Sequence, residues 1–482
     1  MKLLPLLIPL ALLNLLTLRL GIAWQRWTAM EHPTAVLLPL PLALSLIGCL
    51  LLERCTNFLL RIPRIRQAGL SNIYLAFLTA CFSAAIYAIY ATFSASRLSG
   101  GRLLLVSLWT FSAGWLSFQT TLSLDHVQIA TQLRRKWVQR TLATFLGLTT
   151  CVICLLALEL VCGEIISRRP TGPLKVHKGN YLEPGSFYRR DPDLGVGLEP
   201  NREVTSEFHV DKKVIWNVRY KTDEFGRRAT IKPKSSDTEQ LVVFFGCSYM
   251  FGEGANDDQT IPSEFVKLSD NYEAVNYGVP GWGTQQMLAL LESGTARKQI
   301  PEGKRATAIY LYLQEVHESR VIGEMDVVNS FGVNFPYYKL ATNGSPERIG
   351  VFSSDRWLVN NLYHVLGKSQ VRAFLGLNFP RRNPSHYELT AAIIERSATL
   401  FKSQFPGSRF IVVPYPSTNP ESPCLLRLKL RGVPVEGSRT LFQHTDPAWH
   451  HFGDGHPTPL ANKAIAKQIV QLIGKDATKS KD

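Results

Sequence analysis

Three short stretches of this 482-residue chain carry residue types that together can perform acyl chemistry. The first is Gly246-Cys247-Ser248-Tyr249-Met250-Phe251-Gly252-Glu253-Gly254, directly after an apolar run. A serine on a sharp, glycine-flanked turn projects its hydroxyl into a cleft while neighbouring amides face a developing oxyanion. The plainer alternative is an ordinary turn in which serine caps a helix. The second stretch is Asn276-Tyr277-Gly278-Val279-Pro280-Gly281-Trp282-Gly283. Its glycines permit close backbone approach and an exposed amide, although a plain loop has the same composition. The third is Phe452-Gly453-Asp454-Gly455-His456-Pro457. An imidazole must be held in one tautomer by an acceptor before it can work as a base on serine, and Asp454 is placed to be that acceptor. A surface histidine ahead of a helix cap is the bland alternative.

The elements needed to bring these stretches together are visible in the hydrophobic pattern. Short β-rich runs at 241–245, 274–277, 308–313 and 410–413 are bounded by turn residues, and amphipathic helical stretches occur at 260–268, 284–291, 390–401 and 459–473. Strands alternating with helices predict βαβ units and a parallel sheet covered on both faces, hence an α/β fold of three layers, α/β/α. Ligands in such folds bind beyond the carboxyl ends of the strands, which is where the three stretches fall. Ahead of this region, residues 169–235 are rich in Pro, Gly and charge. Strand-like pieces at 207–210 and 214–220 and a turn at 223–226 suggest a small module of hairpins. The predicted domains are therefore 1–166, 167–238 and 239–482.

The first of these reads as membrane-embedded. A helix needs about 20 mostly apolar residues to cross the hydrocarbon core, and the segments 3–24, 34–52, 72–93, 103–122 and 141–165 qualify. Lys2 before the first one fits a signal peptide, but the run is long and lacks a small-x-small cleavage site, so it is read as a retained helix. Arg54, Arg61, Arg64 and Arg66 in the second loop, and Arg134, Arg135, Lys136 and Arg140 in the fourth, place those loops and the amino terminus in the cytoplasm. Five crossings then leave the carboxy-terminal half outside, against a mild contrary signal from Arg168 and Arg169. No intramembrane run of carboxylates or histidines marks an ion path, so the helices read as an anchor or a docking surface rather than a pump or channel.

The net charge of +15 does not imply a nucleic-acid partner. Residues 1–166 hold 13 Lys/Arg against 5 Asp/Glu, beside the spans where cations set topology. The rest of the excess is spread without a basic run. Of eight cysteines, Cys49, Cys55, Cys81, Cys151, Cys154 and Cys162 lie in or beside hydrophobic stretches, leaving only Cys247 and Cys424 in the second half. No disulfide framework follows. Cys151 and Cys154 form a CxxC inside an apolar helix without a nearby His, which reads as packing rather than a metal or redox site.

Taken together, the three stretches resemble the SGNH/GDSL hydrolase family over roughly residues 241–473, with a lead-in module similar to that of bacterial members. The resemblance implies a serine esterase that needs no metal or cofactor. Ser248 would be the nucleophile and supply the first oxyanion amide, Gly281 the second amide, and Asp454 and His456 the acid and base. Three departures stand out. Cys247 replaces the family's Asp beside the serine. The Asp-x-x-His spacing is shortened to Asp-x-His, as in alginate-type O-acetyltransferases of the same superfamily. The third block lacks its oxyanion-donating Asn, where Gln314-Glu315-Val316-His317 follows the strand instead. His317 is the candidate to fill that role, because a neutral imidazole can donate; losing such a donor costs about 10²–10³ in rate. Trp282, beside Gly281, is a candidate for stacking on a sugar ring.

Three functions remain open on this reading. One is hydrolysis of acyl esters on cell-envelope glycans or lipids. Another is acyl transfer to a polysaccharide hydroxyl, with the spans meeting a separate membrane acyltransferase. The last is a catalytically degenerate binding or scaffold subunit of polysaccharide machinery.

Overall fold

The computed structural model describes residues 136–479, apart from 235–237, 270, 438–440 and 443–445. The four expected spans at 3–24, 34–52, 72–93 and 103–122, and the topology argued from their loops, lie outside the described residues. The chain divides into two compact units.

The first unit, as described, holds α1 (Lys136–Ser167) and residues 368–376. Among the described residues, α1 is the one helix long and apolar enough to cross a membrane, over Thr150–Ser167. It contains the expected span at 141–165. Cys151 and Cys154 are exposed free thiols on it. Glu159 accepts hydrogen bonds from the Ser369 hydroxyl and the Gln370 N–H, while the Arg169 guanidinium lies 5.3 Å from the centre of the Phe374 ring.

The second unit begins with short strands. β1 (Lys175–Lys178), β4 (Glu203–Val210) and β5 (Lys213–Lys221) form an antiparallel sheet, and β2 (Tyr188–Asp191) pairs with β3 (Gly195–Leu198). Every second residue of β4 is buried, the period expected of a sheet with one wet face. Trp216 and Tyr220 of β5 join one hydrophobic cluster with Leu241, Phe251 and Tyr277 of the following region.

That region is built on β6 (Gln240–Gly246), which leads through α2 (Ser248–Phe251) and α3 (Ile261–Leu268) to β7 (Tyr272–Gly278). Next come α4 (Thr284–Glu292), β8 (Arg305–Tyr312) and α5 (Gln314–Ile322), then a hairpin of β9 (Pro336–Leu340) and β10 (Pro346–Val351). The chain closes with α6 (Pro384–Gln404), β11 (Arg409–Pro414), α7 (Pro423–Leu430) and α8 (Pro459–Lys479). The order β11-β8-β6-β7 is parallel throughout, so this is an α/β fold. Residues 241–246 are buried without a break, as a strand covered on both faces requires. Leu241, Val243 and Phe245 pack with residues of α4, α6 and α7, whereas Val242 and Phe244 pack with α3 and α8.

All four predicted strands and four predicted helices are present. The helix expected at 390–401 starts earlier because Asn383 caps Ser385 and His386 N–H and Pro384 occupies the first turn. β7 lies on one side of β6 and β8 on the other, so the connections diverge at the carboxyl ends of β6 and β8. Crevices open at such reversals.

Candidate active site

Ser248 opens α2 immediately beyond β6 and is only 6% exposed. The turn is locked from the adjacent strand. Asn276, itself buried, donates to the Met250 carbonyl at 3.0 Å and accepts the Gly278 N–H at 2.8 Å. A Cβ at position 278 would lie 2.4 Å from the Phe251 nitrogen, so only glycine allows this approach.

His456 arrives from the loop before α8. Its Nε2 is 2.7 Å from Ser248 Oγ, and its Nδ1 is hydrogen-bonded to the Asp454 carboxylate. Asp454 Oδ2 also accepts the His456 backbone N–H at 3.2 Å. This closed turn explains how a carboxylate only two residues away can orient the ring: its backbone and side-chain contacts form one small cycle. The loop is pinned further by the Gly455 N–H on the His451 carbonyl, and by the Tyr249 hydroxyl donating to the Gly455 carbonyl at 3.0 Å. The Tyr249 ring stands 5.1 Å from that of His456.

A second carboxylate also faces the imidazole. Glu253 Oε2 is 3.5 Å from His456 Nε2, and both side chains are largely buried. Burial alone would lower the pKa of His456. The charge of Glu253, and the hydrogen bond and charge of Asp454, outweigh it, so the pKa is raised above the ordinary histidine value despite opposition from Arg320. Asp454 is affected in the opposite sense: burial raises its pKa, but bonding to His456 leaves it net lowered.

The other residues singled out in the sequence have mixed placements. Gly281 adopts φ +87° on the loop after β7. Trp282 is 4% exposed and its indole N–H donates to the Val196 carbonyl at 2.8 Å. A ring so packed, with its one donor committed, leaves no face for a sugar. His317, in the first turn of α5 after β8, is fully buried. Its Nδ1 accepts the Leu313 N–H at 3.3 Å and lies 2.7 Å from the Tyr310 hydroxyl. Burial, followed by the charge of Arg320, holds its pKa well below the ordinary value. The neutral ring therefore carries its proton on Nε2, which has no hydrogen-bond partner among the described residues. Arg320 donates to the Trp282 carbonyl at 2.6 Å. Glu253 and the bracing Asn276 both stand inside the glycine-marked stretches, but their roles depend on contacts that spacing along the chain does not show. Among the described residues, no group of three or more His, Cys, Asp or Glu side chains is gathered to hold a metal ion.

No known family model matches the sequence. One curated relative, the riboflavin biosynthesis protein RibBA of Thermotoga maritima, is 30% identical over 151 residues, covering 30% of this chain and 34% of its own. The chain thus spans about a third of that relative's length. Among solved structures, an acetyl xylan esterase (Est2A) from the rumen bacterium Butyrivibrio proteoclasticus is 12% identical with a TM-score of 0.28, over 57% of this chain and 69% of that one. Another solved chain is 12% identical with a TM-score of 0.29, over 49% of this chain and 97% of its own. At these scores neither likeness bears on the chemistry of this chain.

Proposed function

We propose that this chain is a serine esterase of the SGNH type. The observation that carries the reading is the Ser248–His456–Asp454 relay: a hydroxyl 2.7 Å from one imidazole nitrogen and a carboxylate on the other. Nothing in a plain turn-and-cap arrangement calls for that alignment of three groups from two distant loops.

The chemistry follows from the proton positions. Neutral His456 accepts the Ser248 proton as Oγ attacks an acyl carbonyl, and the imidazolium returns it to the departing alcohol oxygen. Backbone amides at Ser248 and Gly281, with the unpartnered Nε2–H of His317 as a third donor, are the groups we assign to the oxyanion. Water then cleaves the acyl-enzyme and releases the acid. We further propose that α1 anchors the site to a membrane, with the catalytic unit on its extracytoplasmic side and acyl-decorated glycans or lipids as substrates. The apolar character of Thr150–Ser167 supports the anchor, and the arginine-rich loops of the sequence support the side.

The decisive experiment uses the full chain. The unaltered protein should turn over p-nitrophenyl acetate and react with a fluorophosphonate at Ser248. Ser248→Ala should lose both, with a turnover loss of about 10⁴ or more. Unchanged turnover in Ser248→Ala would remove the serine from the mechanism.

A further inference from the structure

The relay leaves one charged group of the site without a task. Asp454 already fixes the tautomer of His456 from the Nδ1 side, so Glu253 is not needed to orient the ring. Its carboxylate lies instead on the Nε2 side, where the serine proton is taken up and where the proton of any later nucleophile must also arrive. The side chain is only 13% exposed, and its charge also acts on the buried Arg228 guanidinium.

The backbone is shaped to present it. Gly252 and Gly254 flank it at φ +86° and +82°, and a Cβ on either would lie 2.6 Å from the Thr260 side chain or 2.7 Å from the His451 ring. The Glu253 N–H donates to the Ser248 carbonyl at 3.1 Å, tying acid and nucleophile into one turn. On the far side, the Gly254 N–H donates to the Tyr220 hydroxyl at 2.9 Å. After burial, the charge of Glu253 is the next cause of the raised pKa values of Tyr181, Tyr188 and Tyr220, a wall of phenols supplied by the β1–β5 module.

The geometry points to Glu253 as a second catalytic carboxylate that holds the attacking water in the deacylation half-reaction. This rests on the serine-esterase reading and names the group that selects its acceptor. At 3.5 Å, Glu253 and His456 Nε2 are too far apart for a strong direct hydrogen bond. A water donating to both needs them about 4–5 Å apart, from two bonds of ordinary length, so Glu253 must withdraw from the ring by about 1 Å as the water enters. The water oxygen attacks the acyl carbon on Ser248. One of its hydrogens passes as a proton to His456 Nε2, while the other remains donated to Glu253. The tetrahedral adduct then breaks its bond to Ser248 Oγ, which recovers the proton from His456, and the carboxylic acid departs. Glu253 gains and loses no proton. It orients the one acceptor that has two hydrogens to give.

The test is pre-steady-state kinetics of the full-length protein in nanodiscs with p-nitrophenyl acetate. Glu253→Gln should release a burst of one p-nitrophenolate per enzyme at a near-normal rate, and then turn over about 10²-fold more slowly. Acetyl-Ser248 should accumulate in its intact mass. Glu253→Asp, which retracts the carboxylate by one methylene, should deacylate at an intermediate rate. Equal slowing of burst and steady state, or no change in either, would overturn the assignment. Absence of both p-nitrophenolate release and fluorophosphonate labelling at Ser248 in the unaltered protein would instead remove the serine-esterase reading, and this inference with it.

Discussion

Asn276, two residues before the end of β7, donates its side-chain amide to the Met250 carbonyl two residues beyond the nucleophile. One strand therefore braces the turn that another strand delivers. The same side chain accepts the Gly278 N–H, so the bracing residue also shapes the start of the loop that carries Gly281.

Asn276→Ala should therefore uncouple fold from activity only partly. It leaves a buried Met250 carbonyl and Gly278 N–H without partners, at a cost of about 1–3 kcal/mol for each unsatisfied group. Thermal unfolding should show a lowered Tm, and the rate of fluorophosphonate labelling at Ser248 should fall well below that of the unaltered protein at a temperature where both are folded. A labelling rate equal to the original would show that the brace does not position the serine.

The acid limb of the pH–rate profile follows from the sign of the histidine shift. His456 must be neutral to accept the serine proton, and its pKa is raised because Glu253 and Asp454 outweigh the effect of burial. Activity should consequently be lost, as pH falls, through an apparent pKa above the ordinary value of about 6.5. Other groups near the ring set the remaining balance: Arg320 lowers its pKa, while Tyr249 and His451 lie alongside. Replacing Glu253 with Gln removes one raising charge and should move the limb to lower pH. A limb that stays put in kcat/KM would mean that the carboxylate does not act on the ring.

How much of this was legible in the sequence differs between the scaffold and the site. The four strands of the parallel sheet were readable because residues such as Val242, Val243, Phe244 and Phe245 form unbroken apolar runs between turn residues, a pattern set by burial on both faces. The Ser248, Asp454 and His456 stretches were readable because each follows or precedes such an element at a glycine-marked turn. The inward packing of Trp282 was not readable. It depends on the Val196 carbonyl, 86 residues away, and nothing local announces that partner. Glu253 was hidden for a related reason. Its meaning comes only from Nε2 of His456, a contact across the fold that spacing along the chain does not encode.

His317 provides the sharpest remaining test of the oxyanion assignment. Its Nδ1 is engaged by the Leu313 N–H and the Tyr310 hydroxyl, while its buried Nε2–H has no partner among the described residues. An unpaired buried donor costs about 1–3 kcal/mol, a cost that makes sense where a substrate oxygen becomes its acceptor in the transition state. His317→Phe keeps the ring's bulk but removes both nitrogens. Stability should fall by about 1–3 kcal/mol as the Leu313 N–H and Tyr310 hydroxyl lose their acceptor. Measured well below the lowered Tm, kcat for p-nitrophenyl acetate should drop about 10²–10³-fold with KM nearly unchanged, because the donor acts on the oxyanion rather than on the bound ester. A variant with that stability loss but ordinary kcat would assign His317 to the core and leave the oxyanion to the amides of Ser248 and Gly281.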